Sequence, residues 1–150
     1  MPAMTKVPTR SPTHTDIDYG KLSSLGLDVE EIAHGDEVAL SDLIVLAEDQ
    51  GKPVSHFLAA IPLATELRVK AEGPLVVKVC AGACQKWGAL DLLDHLVARW
   101  EKRHDISIHP VSCLDRCDQA AACEVHGAHG QLVVPAATKQ SLDEALDALT

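Results

Sequence analysis

The spacing of apolar residues changes character several times along the chain, and each change marks an element. Residues 1 to about 20 show no period. Pro2, Pro8 and Pro12 stand among scattered Ser and Thr, the composition of an irregular arm. Helical spacing begins with Leu43, Ile44, Leu46 and Ala47, with Ser41 as the expected N-cap and Gly51 as the stop. Pro53 suits the first position of a second helix, whose apolar face is Val54, Phe57, Leu58 and Ile61, and Pro62 is expected to kink or end it.

A β-branched run, Leu75 to Val79, follows Gly73-Pro74 and predicts a buried strand. From Gly88 to Lys102 the period is helical again, with Leu90, Leu93, Val97 and Trp100 on one stripe widened by Leu92 and Leu96. Ile106, Ile108 and Val111 predict a second strand. Ala121–Val125 and Gln131–Val134 predict a hairpin turning around Gly127 and Gly130. Ser141-Leu-Asp-Glu144 has the form of a capping box opening a last helix through Leu146 and Leu149. The order from Leu75 onward is therefore β-α-β-β-β-α, an α/β arrangement preceded by a short N-terminal helical region. The expected divisions are an extended or partly ordered arm over 1–38, a helical segment over 39–72 and the α/β domain over 73–150.

Composition narrows the function. Apolar residues make up 47% of the 150 positions but aromatic residues only 3%, so the core has to be aliphatic and alanine-rich. A net charge of −9 argues against nucleic-acid and anionic-membrane surfaces. The acid-rich stretch from Asp16 to Asp49 reads as a solvated face in preference to a dock for a basic partner. No run approaches the roughly 20 apolar residues of a membrane span, and the first residues lack the apolar segment of a secretory signal, so a cytoplasmic location without membrane insertion is expected. Thiols stay reduced there, which favours metal ligation over disulfides.

Five cysteines then stand out. Four form two matched pairs, Cys80-Ala-Gly-Ala-Cys84 and Cys113-Leu-Asp-Arg-Cys117, each in a loop that directly follows a predicted strand. A strand–helix–strand excursion returns the chain to the same end of a sheet, so the pairs can meet. Four thiolates suit a [2Fe–2S] cluster, two on each iron, and they also suit tetrahedral zinc. Zinc pairs more often use tighter knuckle spacing. Small residues in Ala81-Gly82-Ala83 permit close backbone approach, and the amides of Ala81, Gly82, Ala83 and Leu114 are candidates to face the sulfurs. Lys86 and Arg116 would raise a cluster's potential, whereas Asp115 and Asp118 would lower it. Cys123 lies outside the pairs and reads as a small buried hydrophobe. His126-Gly-Ala-His129 reads as a solvated turn, without acidic or thiol company for a metal. Trp87 either shields the site, marks a docking face or packs in the core.

The segments Val79-Cys80-Ala-Gly-Ala-Cys84-Gln-Lys-Trp-Gly88-Ala89 and Ser112-Cys113-Leu-Asp-Arg-Cys117-Asp-Gln-Ala120 resemble the thioredoxin-like [2Fe–2S] ferredoxins, in particular the small ferredoxin-like subunit of NADH:quinone oxidoreductases and the related small subunits of NAD-linked hydrogenases and formate dehydrogenases. Glu124-Val-His-Gly and the last helix fit the same pattern, and Leu46 to Phe57 echoes the family's helix-Gly-x-Pro-helix. The resemblance covers the last half of the chain. Departures are a first loop one residue shorter than the usual C-x4-C, Ala60-Ile-Pro-Leu-Ala64 where the family has Phe-Tyr, and Ala121 where it has proline. The resemblance implies a thioredoxin-like fold over 73–150 and a [2Fe–2S] cluster on Cys80, Cys84, Cys113 and Cys117. It also implies one-electron transfer inside an NAD(P)-linked oxidoreductase, with a flavin- and NAD(P)-binding subunit as partner. All-cysteine clusters of this kind reach potentials on the order of −400 mV. No Gly-rich dinucleotide fingerprint or phosphate loop is present, so no catalytic site of its own is expected. A free-standing homodimeric ferredoxin is the alternative. A thiol-disulfide enzyme is a third reading, disfavoured because such sites use C-x-x-C at a helix start.

Overall fold

A computed structural model describes residues 17–114 and 119–149. Five helices, α1 (Tyr19–Ile32), α2 (Leu40–Gln50), α3 (Val54–Ala64), α4 (Ala89–Arg103) and α5 (Lys139–Ala148), accompany six strands. Two are short, β1 (Glu37–Val38) and β2 (Arg68–Val69), and pair in parallel. The other four are β3 (Leu75–Cys80), β4 (Ile106–Val111), β5 (Cys123–Gly127) and β6 (Gly130–Val134). They form one mixed sheet in the order β4-β3-β5-β6. The protein is thus a mixed α/β structure, and the order β-α-β-β-β-α from Leu75 is the one the periodicity predicts.

The parallel pair β3/β4 runs in register from Leu75 opposite Ile106 to Cys80 opposite Val111. α4 is the crossover that parallel neighbours require. β5 lies antiparallel on the other side of β3, with Cys123 opposite Val79, and turns into β6 at Gly127 and Gly130. Leu75, Val77 and Val79 are buried while Val76 and Lys78 are half-buried, the two-residue alternation of a sheet with unequal faces.

One buried cluster runs from Leu25, Val29, Phe57 and Leu58 through Val77, Leu93, Leu96 and Ile108 to Leu142 and Leu146. Phe57 and Trp100 are the buried aromatic residues, so the core is aliphatic as the composition requires. α1 crosses α3 closely: a Cβ on Gly26 would lie 2.9 Å from that of Ala64. Asp94 of α4 holds the first turn of α3, accepting from the Ser55 amide at 3.0 Å and the Ser55 hydroxyl at 2.8 Å. A carboxylate there also complements the positive end of the helix.

The far edge of the sheet, where β3 and β4 begin, is held by side chains. Ser107 Oγ accepts from the amides of Glu72 (2.9 Å) and Gly73 (2.8 Å) and donates to the Gly73 carbonyl (2.8 Å). Gly73 passes so close to the backbone of Asp105 and Ile106 that no side chain fits. Arg99 donates to Asp105 from Nη2 at 2.8 Å and from Nε at 3.3 Å, and Asp147 of α5 stands 3.6 Å from its Nη1. The guanidinium holds the Asp105 carboxyl below its ordinary range. His95 and Asp143, 2.9 Å apart, join α4 to α5 nearby.

Several boundaries differ from the sequence reading. Within the arm over 1–38, expected to be extended or partly ordered, α1 occupies 19–32 with Leu22, Leu25 and Val29 buried. α2 starts one residue before Ser41, which therefore lies in its first turn; extended Ala39 is the cap, and its carbonyl accepts from Asp42 and Leu43. The burial of Leu40 draws that start earlier. Pro53 is the N-cap of α3 instead of its first residue. Pro62 does not end α3, which continues to Ala64. A proline in the last turn forfeits one bond, and Thr65 closes the end by donating its amide and hydroxyl to the Ile61 carbonyl at 3.2 and 2.7 Å. The capping box of α5 sits three residues early: the Ser141 amide donates to Thr138 Oγ1 at 3.0 Å and the Thr138 amide to Ser141 Oγ at 2.8 Å.

Candidate metal centre at the cysteine edge

Because β3 and β4 are parallel neighbours in register, both cysteine loops leave the same edge of the sheet. Cys80 is the last residue of β3. Cys84 follows in a 3₁₀ turn, Ala83–Trp87, and Cys113 comes two residues after β4 ends. Cys117, with Asp115, Arg116 and Asp118, lies outside the described residues. Three of the four expected ligands thus stand on adjoining loops.

Contact between the loops begins where the ladder ends. The Ala81 amide donates to the Val111 carbonyl at 2.7 Å, one step beyond the strand pair. Gly82 comes next and is pressed against the Ser112 carbonyl oxygen, where a Cβ would collide with it. The Cys80 thiol lies 3.8 Å from the same oxygen. Glycine is needed here for close approach, which the small-residue loop implies.

The Cys80 sulfur is the focus of the site. Its pKa is pulled down to about 6, first by a hydrogen bond from the Cys84 thiol and then by the amides of Gly82, Cys84 and Leu114, against the opposing effect of burial. Groups from both loops therefore favour the charged form of one sulfur. The Ala81 amide, a candidate to face the sulfurs, is instead spent on the Val111 carbonyl. Preorganised N–H groups of this kind stabilise thiolate and sulfide charge.

Burial separates the cysteines. Cys80 and Cys84 are 2% and 1% exposed, and Cys113 is exposed. None of the four described cysteines is in a disulfide. Cys123 is fully buried opposite Val79, and burial together with the charge at Cys80 pushes its thiol up to about 12. It is an inert thiol, as its place on an apolar strand predicts.

Gln85 is the residue that the sequence reading left without a role. Its side chain is 2% exposed; Nε2 donates to the Ala81 carbonyl at 2.6 Å and Oε1 accepts from the Ile17 amide at 2.7 Å. It braces the first loop from within and ties it to the chain entering α1. A Gln beside a cysteine carries no pattern that marks it as buried. The 3₁₀ turn ends on Gly88, at φ 94°, whose amide reaches back to Cys84 and Gln85, a left-handed position suited to glycine.

Trp87 is half-buried against the core, and its indole Nε1 is buried without a hydrogen-bond partner. Gln119 Oε1, on the chain leaving the second loop, is in the same condition. His126 has company that the sequence reading did not expect, the Glu124 carboxylate at 3.2 Å, although no third ligand joins them. Among the described residues no three His, Cys, Asp or Glu side chains are grouped to hold a metal, and Cys80, Cys84 and Cys113 are no exception.

This edge of a mixed α/β protein thus brings three described cysteines onto two adjoining loops. No protein-family model matches the chain, and no curated protein matches it with significant similarity. Among the described residues no helix is long and apolar enough to cross a membrane.

Proposed function

We propose that the protein carries a [2Fe–2S] cluster on Cys80, Cys84, Cys113 and Cys117 and passes single electrons as a small subunit of an NAD(P)-linked oxidoreductase. One observation carries the reading: loops from two adjacent parallel strands meet at one edge, with the Ala81 amide donating to the Val111 carbonyl and the Cys80 thiol 3.8 Å from the Ser112 carbonyl oxygen. Such a site fits a cluster whose negative charge needs fixed N–H donors. The strand order β4-β3-β5-β6, with α4 linking the parallel pair and α5 following the hairpin, supports a thioredoxin-like fold.

When bound, the cluster would supply a one-electron couple. The protein's part is to hold the thiolates, direct the Gly82, Cys84 and Leu114 amides at the sulfur charge, and limit water on the Cys80–Cys84 side. No flavin or nicotinamide fingerprint is present, so those groups belong on a partner subunit.

The test is anaerobic purification or reconstitution, with iron and sulfide analysis and paramagnetic resonance after dithionite reduction. Two irons, two sulfides and a signal from the reduced protein are expected, and Ser at Cys80, Cys84, Cys113 or Cys117 should bleach or shift it. Ser at Cys123 should not. A colourless protein holding one zinc would end this reading. Co-purification with a flavoprotein supports a subunit, whereas a small red homodimer points to a free-standing ferredoxin.

A further inference from the structure

A cleft of about 500 Å³ lies on the helical side of the molecule, between α1, the start of α3 and the first turn of α4. Its apolar walls are Ile17, Leu25, Pro53 and Leu90, and its polar groups are Lys21, Ser24, Lys52, His56 and Asp18. That volume falls in the range of small-molecule sites.

The charge here runs against the rest of the chain. The protein carries a net −9, yet two lysines, Lys21 of α1 and Lys52 between α2 and α3, line one cleft. Among the described residues neither ammonium is in an ion pair. Asp18 is the one carboxylate in the lining, and nearby Asp94 is engaged by Ser55. His56 lines the same cleft. Burial holds its imidazole below the ordinary range against the pull of Asp94, and Lys52 and Lys21 push it the same way as burial. A neutral imidazole adds a hydrogen-bond donor without adding charge.

We propose that this cleft binds a small phosphate monoester with an apolar body, its phosphate between Lys21 and Lys52 and its body against Leu25, Pro53 and Leu90. A phosphate monoester is chosen over a carboxylate because it carries a charge of about −1.5 to −2 near neutral pH, enough for two ammonium groups. The apolar walls separate this ligand from inorganic phosphate. The site is distinct from the cysteine edge, and its occupation does not depend on any cluster.

The experiment is a titration of the full chain with phenyl phosphate, followed by amide chemical shifts and calorimetry, with inorganic phosphate and phenol in parallel. Phenyl phosphate should saturate in the range of about 1 mM or below and shift amides of α1 and the start of α3. Inorganic phosphate should bind at least about fivefold more weakly, for want of the apolar contact. Lys21→Gln and Lys52→Gln change exposed side chains, so folding should be retained. Each should weaken binding about three- to tenfold, and the pair more than about tenfold. Absence of binding, equal affinity for inorganic phosphate or for phenol, or undiminished affinity in the double variant would overturn the proposal.

Discussion

The two edges of the four-stranded sheet are built on opposite plans. At the edge where β3 and β4 begin, side chains close the structure: Ser107 makes three hydrogen bonds, Arg99 chelates Asp105, and Gly73 fits against backbone. At the edge where they end, the loops carry thiols, two buried side-chain polar atoms lack partners among the described residues, and the Cys80 thiol is pulled below its ordinary range. The first edge holds strand register. The second leaves buried polar groups without partners among the described residues, a cost that a purely structural edge avoids. The difference also separates residues whose loss should reduce stability alone from residues whose loss should alter chemistry.

Gly82→Ala should produce the largest effect. Its Cβ would drive into the Ser112 carbonyl, so the two loops must part. We expect a loss of about 3 kcal/mol, read from urea unfolding, because backbone cannot yield as a side chain can. Gly51→Ala is the control: at φ 64° with open space around it, it should cost only about 1 kcal/mol. Equal effects of the two would mean that the loops do not bear on one another, and the contrast between the edges would fail.

Gln85→Leu should come next. It keeps the volume but leaves the Ala81 carbonyl and the Ile17 amide without the partner they now share. The expected cost is about 2 kcal/mol, the usual penalty for stranding buried polar groups. The same variant should raise hydrogen exchange at Ile17 and in the first cysteine loop, leaving the far edge protected. Uniform loss of protection would show that Gln85 serves global packing instead of that edge.

The far edge is tested by Asp105→Asn, with an expected loss of about 1–2 kcal/mol, since the Arg99–Asp105 pair is only partly buried. The sign of its pH dependence follows from the lowered Asp105 pKa. The carboxylate's contribution is complete above the unfolded value of about 4 and is lost as pH falls through the folded value. Below about pH 4 the gap between wild type and Asn variant should close. A gap that widens there would assign the stabilisation to another group.

How much of this was legible in the chain differs between the edges. The periods of Leu75–Val79 and Leu90–Trp100 identify strand and helix because each covers a core face over several turns. The paired cysteines mark their edge because thiols at matched spacing are chemically conspicuous. Gln85 and Ser107 escaped notice because a single polar residue does not reveal whether it is solvated or bonded to backbone thirty or more positions away, and Asp105 because a carboxylate just past a helix end looks the same whether it is solvated or gripped by Arg99. α1 escaped for a different reason: Leu22, Leu25 and Val29 form a narrow stripe interrupted by Gly26, and the glycine signals close approach to Ala64 only once α3 is in place. Element ends slipped by one to three residues where a better cap competed, as Thr138 does with Ser141.

The smallest expected effect probes the cysteine edge from its other flank. Ala136 follows β6 at φ 45°, a left-handed conformation that costs a residue with a Cβ about 1 kcal/mol. Two hydrogen bonds hold it there: the Ala136 amide donates to the Gln119 carbonyl and the Ala137 amide to the Ala121 carbonyl, both at 2.7 Å. These bonds connect the end of β6 to the chain leaving the second cysteine loop. Ala136→Gly removes the Cβ but gives the unfolded chain more freedom, so the net gain should be about 0.5 kcal/mol. The expected outcome is a slightly higher urea midpoint with unchanged iron and sulfide content on reconstitution. A lower midpoint would mean that the left-handed conformation costs less than the freedom glycine returns. A changed metal content would mean that the turn after β6 shapes the site itself, extending the cysteine edge across the whole width of the sheet.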